Sequence, residues 1–354
     1  MVLQGKTLDI PIIQGGMGVG ISLSRLAGNV AKCGGMGVIS SVNAGYQEAD
    51  FYTNTLKANL RALHKHIVKA KEIACGRGMV AVNIMCAVNH YEETVKCAID
   101  AGADAIISGA GLPLHLREYT KGTDTLCAPI VSSGKAASIL CRKYLKTTGE
   151  LPDFFVMEGY KAGGHLGFSK KELEEHIAKN NDEILKDILN VLSIYENDEK
   201  EIPVFVAGGV YDGGDMAHYM KEGASGVQIA TRFIATKECD ASEGFKKVII
   251  DAREEDIILI ESPVGMTARA VDSPLLRRLR QGSKYQALQC NNCLQTCKKG
   301  DLTPYCISRA LIEAVNGNYE DGLFFCGENA YRVKEITTVE ALMAQIEKEW
   351  RMHV

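Results

Sequence analysis

Eight short apolar runs, each closing on a glycine or polar residue, predict an α/β chain folded as a (β/α)8 TIM barrel. Two further observations support that class. The runs are apolar at nearly every position, as strands of a parallel sheet covered on both faces must be. Glycine makes up 35 of 354 residues and recurs where the runs end, which places there loops whose backbone closes on a ligand. A barrel of about 250 residues leaves roughly a hundred for an appendage.

The runs lie at 11–14, 37–40, 79–83, 105–108, 129–132, 154–157, 203–207 and 226–229. Amphipathic stretches such as 55–74, 90–101 and 171–195 separate them and read as covering helices. An open doubly wound sheet is the competing arrangement, and its nucleotide fingerprints are missing. The glycine-rich stretch 15–20 fails G-x-G-x-x-G because position 21 is Ile, and Gly134-Lys135 is followed by Ala136 with no upstream P-loop glycine. Beyond 236 the alternation stops: 240–254 reads as a helix, 262–285 as an Arg-rich irregular segment, 290–306 as a cysteine cluster and 338–350 as a closing helix. The expected organisation is a barrel over 1–236 with a mostly helical, Cys-rich appendage over 237–354 packed on it.

Composition narrows the function. Hydrophobic residues at 46% and charged residues at 24% are those of a globular chain. A net charge of −4 with no basic run interleaved with aromatics argues against nucleic acid as a partner. No apolar run reaches the ~18 residues of a membrane span, and the first residues lack the pattern of a signal peptide. A cytoplasmic protein acting on a small molecule is expected, with assembly into a homo-oligomer left open.

In a parallel barrel the chemistry sits at the carboxyl ends of the strands. After the seventh and eighth runs come Ala207-Gly208-Gly209-Val210 and Ala230-Thr231-Arg232-Phe233, which suit a phosphate held by main-chain N–H groups, or simply tight turns. After the sixth comes Glu158-Gly159-Tyr160-Lys161-Ala162-Gly163-Gly164-His165-Leu166-Gly167. An imidazole carried between glycines at this end can reach a ligand and move a proton near neutral pH, or it can merely cap the next helix.

Taken together, Pro11 to Met17, Gly34-Gly35-Met36-Gly37, Asn83, Ala162 to Gly167, Ala207-Gly208-Gly209 and Ala230 to Phe233 resemble the nitronate monooxygenase (2-nitropropane dioxygenase) family, which includes flavin-dependent enoyl-acyl carrier protein reductases. The resemblance covers about 8–275. It implies an FMN-binding barrel in which Gly15, Gly16, Met17 and Asn83 lie near the flavin ring, Gly163 and Gly164 flank it, and Ala207, Gly208, Gly209, Gln228, Ala230 and Thr231 serve the ribityl-phosphate end. His165 matches the family's catalytic histidine. The implied reaction is oxidation of a small nitronate or nitroalkane; the alternative is NAD(P)H-dependent reduction of an enoyl thioester, to which 108–113 and 262–266 are similar. The chain departs from the family pattern at Gly16, where Pro is common, at Lys161, where Glu is common, and at Ala230, where Gly is common. Lys161 is expected to depress the His165 pKa through like charge if both point inward.

Cys290, Cys293, Cys297 and Cys306 stand outside that pattern, four of twelve cysteines within seventeen positions. Their C-x2-C-x3-C-x8-C spacing suits a [4Fe–4S] cluster, a tetrahedral Zn²⁺ or unmetallated thiols, and the leading triplet resembles the cluster-binding run of dienoyl-CoA reductases. A non-catalytic phosphate-binding barrel is the remaining class, since a fold alone does not fix function.

Overall fold

The computed structural model describes residues 1–196, 201–295, 297 and 303–353, so part of the expected cysteine segment, at 296 and 298–302, lies outside the described residues. Eight parallel strands close a barrel: β1 (Ile12–Gln14), β2 (Met36–Ser40), β3 (Met79–Met85), β4 (Ala105–Gly109), β5 (Leu126–Val131), β6 (Phe155–Glu158), β7 (Val204–Ala207) and β8 (Gly226–Ile229). Closure runs through β8 and β1, with Val227 opposite Ile12 and Ile229 opposite Gln14.

Alternation along each strand divides the core in two. Inward residues, among them Ile13, Val38, Ala81, Ile107, Val156 and Phe205, fill the barrel, and Leu3 and Leu8 plug its amino-terminal end from a short hairpin. Outward residues such as Ile12, Ile39, Val82 and Ile106 pack under the helices. The helix Thr55–Ala74 has the bounds expected of it and presents Ala58, Ala62, Leu63, Ile67, Ala70 and Ala74 to the barrel. Gly37 sits where this layer is tightest: a Cβ there would lie 1.9 Å from the Ala27 carbonyl oxygen.

Three expectations need correction. The fifth strand begins at Leu126, three residues early, because buried Leu126, Cys127 and Ala128 extend it and Pro129 sits within it. The stretch 171–195 is two helices, Lys170–Glu174 and Asn181–Leu192, because Asn180 caps the second with a reciprocal box to Glu183. The segment 262–285 is not irregular. It contains strand β10 (Thr267–Val271), antiparallel to β9 (Ile257–Glu261), and the helix Pro274–Arg280. Helices Glu243–Asp251, Ile307–Val315 and Val339–Arg351 complete the carboxyl-terminal region. No helix of the described residues is long and apolar enough to cross a membrane.

Candidate active site

The carboxyl ends of the strands open into a cavity of about 490 Å³. Its size falls within the range usual for small-molecule and cofactor sites. Gly15, Gly16, Met17, Asn83, Gly163, Gly164, His165, Ala207, Gly208, Gly209, Gln228, Ala230 and Thr231 all line it. Each comes from a strand end or from the loop that follows it, which is why residues remote in sequence meet there.

The glycines make close approach possible. A Cβ on Gly16 would stand 2.5 Å from that of Asn83, so this position has no room for a side chain while the Asn83 amide flanks the cavity. Gly208 and Gly209 follow β7 with φ of +89° and +95°, a conformation other residues adopt only under strain. A side chain on Gly208 would also meet the Gly159 carbonyl oxygen at 2.7 Å. Lys161 and Arg232 line the same end of the cavity and bring positive charge to it. Asn329 closes over it, donating to the Gly209 carbonyl at 2.7 Å, and the Gly327 amide donates to the Thr231 hydroxyl at 2.9 Å.

His165 is held by a part of the chain far from the barrel motif. Gly164–His165 is a short strand paired antiparallel to β10, with Ala268 opposite His165 and Arg269 opposite Gly164. Leu166 donates to the Thr267 carbonyl at 2.8 Å. Ser262, in the β9–β10 turn, hydrogen-bonds the imidazole Nε2 at 2.8 Å, and the ring meets Phe325 edge-on with centroids 5.3 Å apart. Buried Arg269 clamps the preceding loop by donating to the carbonyls of Tyr160, at 2.9 Å, and Ala162. The imidazole is therefore fixed from outside the barrel.

Burial pushes the His165 pKa down to about 4, so the ring is neutral at ordinary pH. Desolvation is the cause, not the like charge expected from Lys161, whose ammonium lies 3.5 Å from the Glu328 carboxylate. Glu158, at the end of β6, also lines the cavity, and burial raises its carboxyl to about 7. Among the described residues nothing hydrogen-bonds that carboxyl. Strand-end position was the one signal available for Glu158 in the sequence. Nothing in the sequence pointed to Phe325, Gly327 or Asn329, which reach the site only through tertiary packing.

Of the four clustered cysteines, Cys293 lines this cavity. Burial, with smaller contributions from its three neighbours, raises its thiol to about 12. Among the described residues no three His, Cys, Asp or Glu side chains are placed to share one metal ion.

A closed parallel barrel with a glycine-walled strand-end cavity and a neutral imidazole on its rim is the architecture of a cofactor-using barrel enzyme. The family model for nitronate monooxygenase matches residues 2–349, and the chain belongs to the nitronate monooxygenase family, a family of flavin-dependent oxidoreductases in which FMN is typical. A probable nitronate monooxygenase of Staphylococcus aureus (strain Newman) is 24% identical over 303 residues, covering 78% of this chain and 79% of that protein. Among solved structures, FabK from Thermotoga maritima superposes with a TM-score of 0.75 at 24% identity, covering 98% of this chain and 94% of that one. Nitroalkane oxidase from Streptomyces ansochromogenes superposes with a TM-score of 0.73 at 18% identity, covering 98% and 97%. At these identities the two solved structures speak to the fold.

Proposed function

We propose that the chain is an FMN-dependent oxidoreductase that oxidises a small nitronate or nitroalkane, with His165 as the base that takes the α-proton of the neutral nitroalkane, a step the nitronate itself does not need. The observation that carries this reading is the neutral, desolvated imidazole at the cavity wall, oriented by Ser262. A neutral ring has the free lone pair that a base needs, and the negative charge that the substrate gains as its α-proton leaves favours the protonated ring that results. The residues fit the cofactor. Gly208 and Gly209, with Ala230 and Thr231, form a turn pair suited to a phosphate, Lys161 and Arg232 supply positive charge beside it, and Gly15, Gly16 and Asn83 leave a flat wall for the ring. When bound, FMN supplies the redox chemistry, taking electrons from the substrate and passing them to O₂. Glu158 offers a carboxyl that is half-protonated near neutrality and can donate or accept a hydrogen bond at the ligand.

The second reading, reduction of an enoyl thioester with NAD(P)H as electron donor, is favoured by one feature. Segments 109–112 and the turn residues Val264 and Met266 form an apolar side of the cavity able to take an acyl chain.

The test is anaerobic mixing of the flavin-loaded protein with a small alkyl nitronate and, separately, with NADH or NADPH. Bleaching by the nitronate supports the first reading; bleaching by the nicotinamide alone moves the assignment to the second. His165→Ala should lower turnover of the neutral nitroalkane by ~10²–10⁴ while flavin absorbance is retained. An unchanged rate removes His165 from the mechanism.

A further inference from the structure

The helix Asn181–Leu192 begins at two consecutive asparagines that do different work. Asn180 is its cap, accepting from the Glu183 amide at 2.9 Å. The Asn181 side chain takes no part in that cap. It is 4% exposed, lies outside the lining of the main cavity, and turns back onto the barrel, where Nδ2 donates to the Gly208 carbonyl at 2.7 Å and to the Tyr219 hydroxyl at 3.1 Å.

The Gly208 carbonyl fixes which way round the amide sits, since Oδ1 in that place would set two acceptors against each other. Oδ1 faces Gly159 instead, so closely that a Cβ on Gly159 would stand 1.8 Å from it, and among the described residues it has no hydrogen-bond partner. Leaving a buried acceptor unpaired costs stability. An apolar side chain would fill the same space without that cost, so what the position gains from asparagine is the donor on Gly208.

The consequence lies on the other side of the same peptide. In a trans peptide the C=O and the N–H point opposite ways. With its carbonyl drawn outward to Asn181, the Gly208–Gly209 peptide turns the Gly209 N–H toward the cavity, which Gly209, Lys161 and Arg232 line. Among the described residues that N–H has no acceptor, whereas the amides of Tyr211 and Asp212, further along the turn, both go to the Asp215 carboxylate. An unpaired main-chain N–H beside two cationic side chains is the material of a phosphate site. With no Cβ on either residue, a diglycine peptide can rotate to either orientation. The glycines therefore permit the turn, and Asn181 sets it. The Gly209 carbonyl is held separately by Asn329, so loss of Asn181 frees one peptide and not the whole turn.

We propose that Asn181 is a positioning residue of the phosphate site, orienting the Gly208–Gly209 peptide so that the Gly209 N–H meets the phosphate of FMN. The assignment rests on the FMN reading above and on no particular substrate.

Flavin-free full-length protein is titrated with FMN and with riboflavin, which has the same ring and ribityl chain without the phosphate, and binding is followed by the quenching of flavin fluorescence. The ratio of the two dissociation constants isolates what the phosphate contributes, because a general loosening of the fold weakens both ligands and leaves the ratio alone. Wild type should prefer FMN. Asn181→Ala and Asn181→Leu, which lack the donor, should shrink that preference by ~10–100-fold, the worth of one hydrogen bond to a charged group, with riboflavin affinity and far-UV circular dichroism unchanged. Asn190→Ala, at an exposed position of the same helix, should leave the preference intact. If neither Asn181 variant folds, Tyr219→Phe decides, since it removes the second acceptor that steadies the same amide: a reduced preference is expected, and an unchanged one overturns the proposal. A wild type that binds both flavins equally overturns the phosphate reading itself. A wild-type preference that persists undiminished in folded Asn181→Ala overturns the role of Asn181 alone.

Discussion

Glu158 and His165 share a cavity wall, and burial displaces their protonation in opposite senses, which makes their contributions to folding separable by pH. The Glu158 carboxyl has its pKa raised from 4.5 to about 7. The folded chain therefore holds a proton that the unfolded chain has released between those values, and stability falls as pH rises through that window. His165 is lowered from 6.5 to about 4. Between those values the unfolded chain holds the extra proton, so this contribution is present above pH 6.5 and is lost as pH falls towards 4. At 1.36 kcal/mol per pH unit, each displacement amounts to at most roughly 3 kcal/mol. The two nearly offset from pH 4.5 to 6.5. Glu158→Gln keeps the shape and removes one titration. Relative to wild type, its stability should match at pH 4.5, rise with pH, and level off above pH 7 with a gain of up to roughly 3 kcal/mol. His165→Gln should show the reverse, its advantage over wild type shrinking from pH 4 to 6.5. Urea unfolding of the flavin-free proteins across pH 4–8.5 measures both. A difference between Glu158→Gln and wild type that is constant with pH would refute the reasoning, because it would mean that the carboxyl titrates alike in the folded and unfolded chains.

Other outcomes follow from single contacts. Ser262→Ala removes the hydrogen bond on His165 Nε2 and should lower turnover by about 3–10-fold, far less than His165→Ala, with flavin binding intact. Gly208→Ala and Gly102→Ala both place Ala at positive φ, but only Gly208 has a close neighbour, the Gly159 carbonyl. Gly102→Ala should cost about 1–3 kcal/mol in a urea melt, and Gly208→Ala more, with weakened flavin retention. Arg269→Met leaves the Tyr160 and Ala162 carbonyls without their donor and should destabilise the protein by about 2–4 kcal/mol, with a loss of turnover from the loosened His165 strand.

The barrel was legible in the sequence because its signal is local. Each strand is a short apolar run, so the Ala207-Gly208-Gly209 turn could be placed from a run end alone, whereas Gly16, Asn83 and Gln228, which also line the cavity, came from the family resemblance. Pro129 misled the reading of the fifth strand, since proline usually marks a strand's first residue. The carboxyl-terminal hairpin was hidden for a different reason. Leu259, Ile260, Ala268 and Ala270 are apolar enough for strands, but the hairpin they form joins the rest of the fold, through Thr267–Val271, on the two-residue strand at Gly164–His165, which carries no periodicity of its own. The cause of the His165 pKa was equally out of reach. Sequence proximity suggested Lys161, whereas burial beneath a distant hairpin and Phe325 sets the value.

That hairpin also places the chemistry late in the life of the chain. The imidazole emerges with the barrel's sixth strand, but the serine that orients it lies 97 positions further on, and the aromatic ring against it is later still. A chain that ends after its eighth barrel strand would have the glycine loops and no seated histidine. The seat of the imidazole is therefore complete only after nearly the whole polypeptide has been made and folded back onto the barrel.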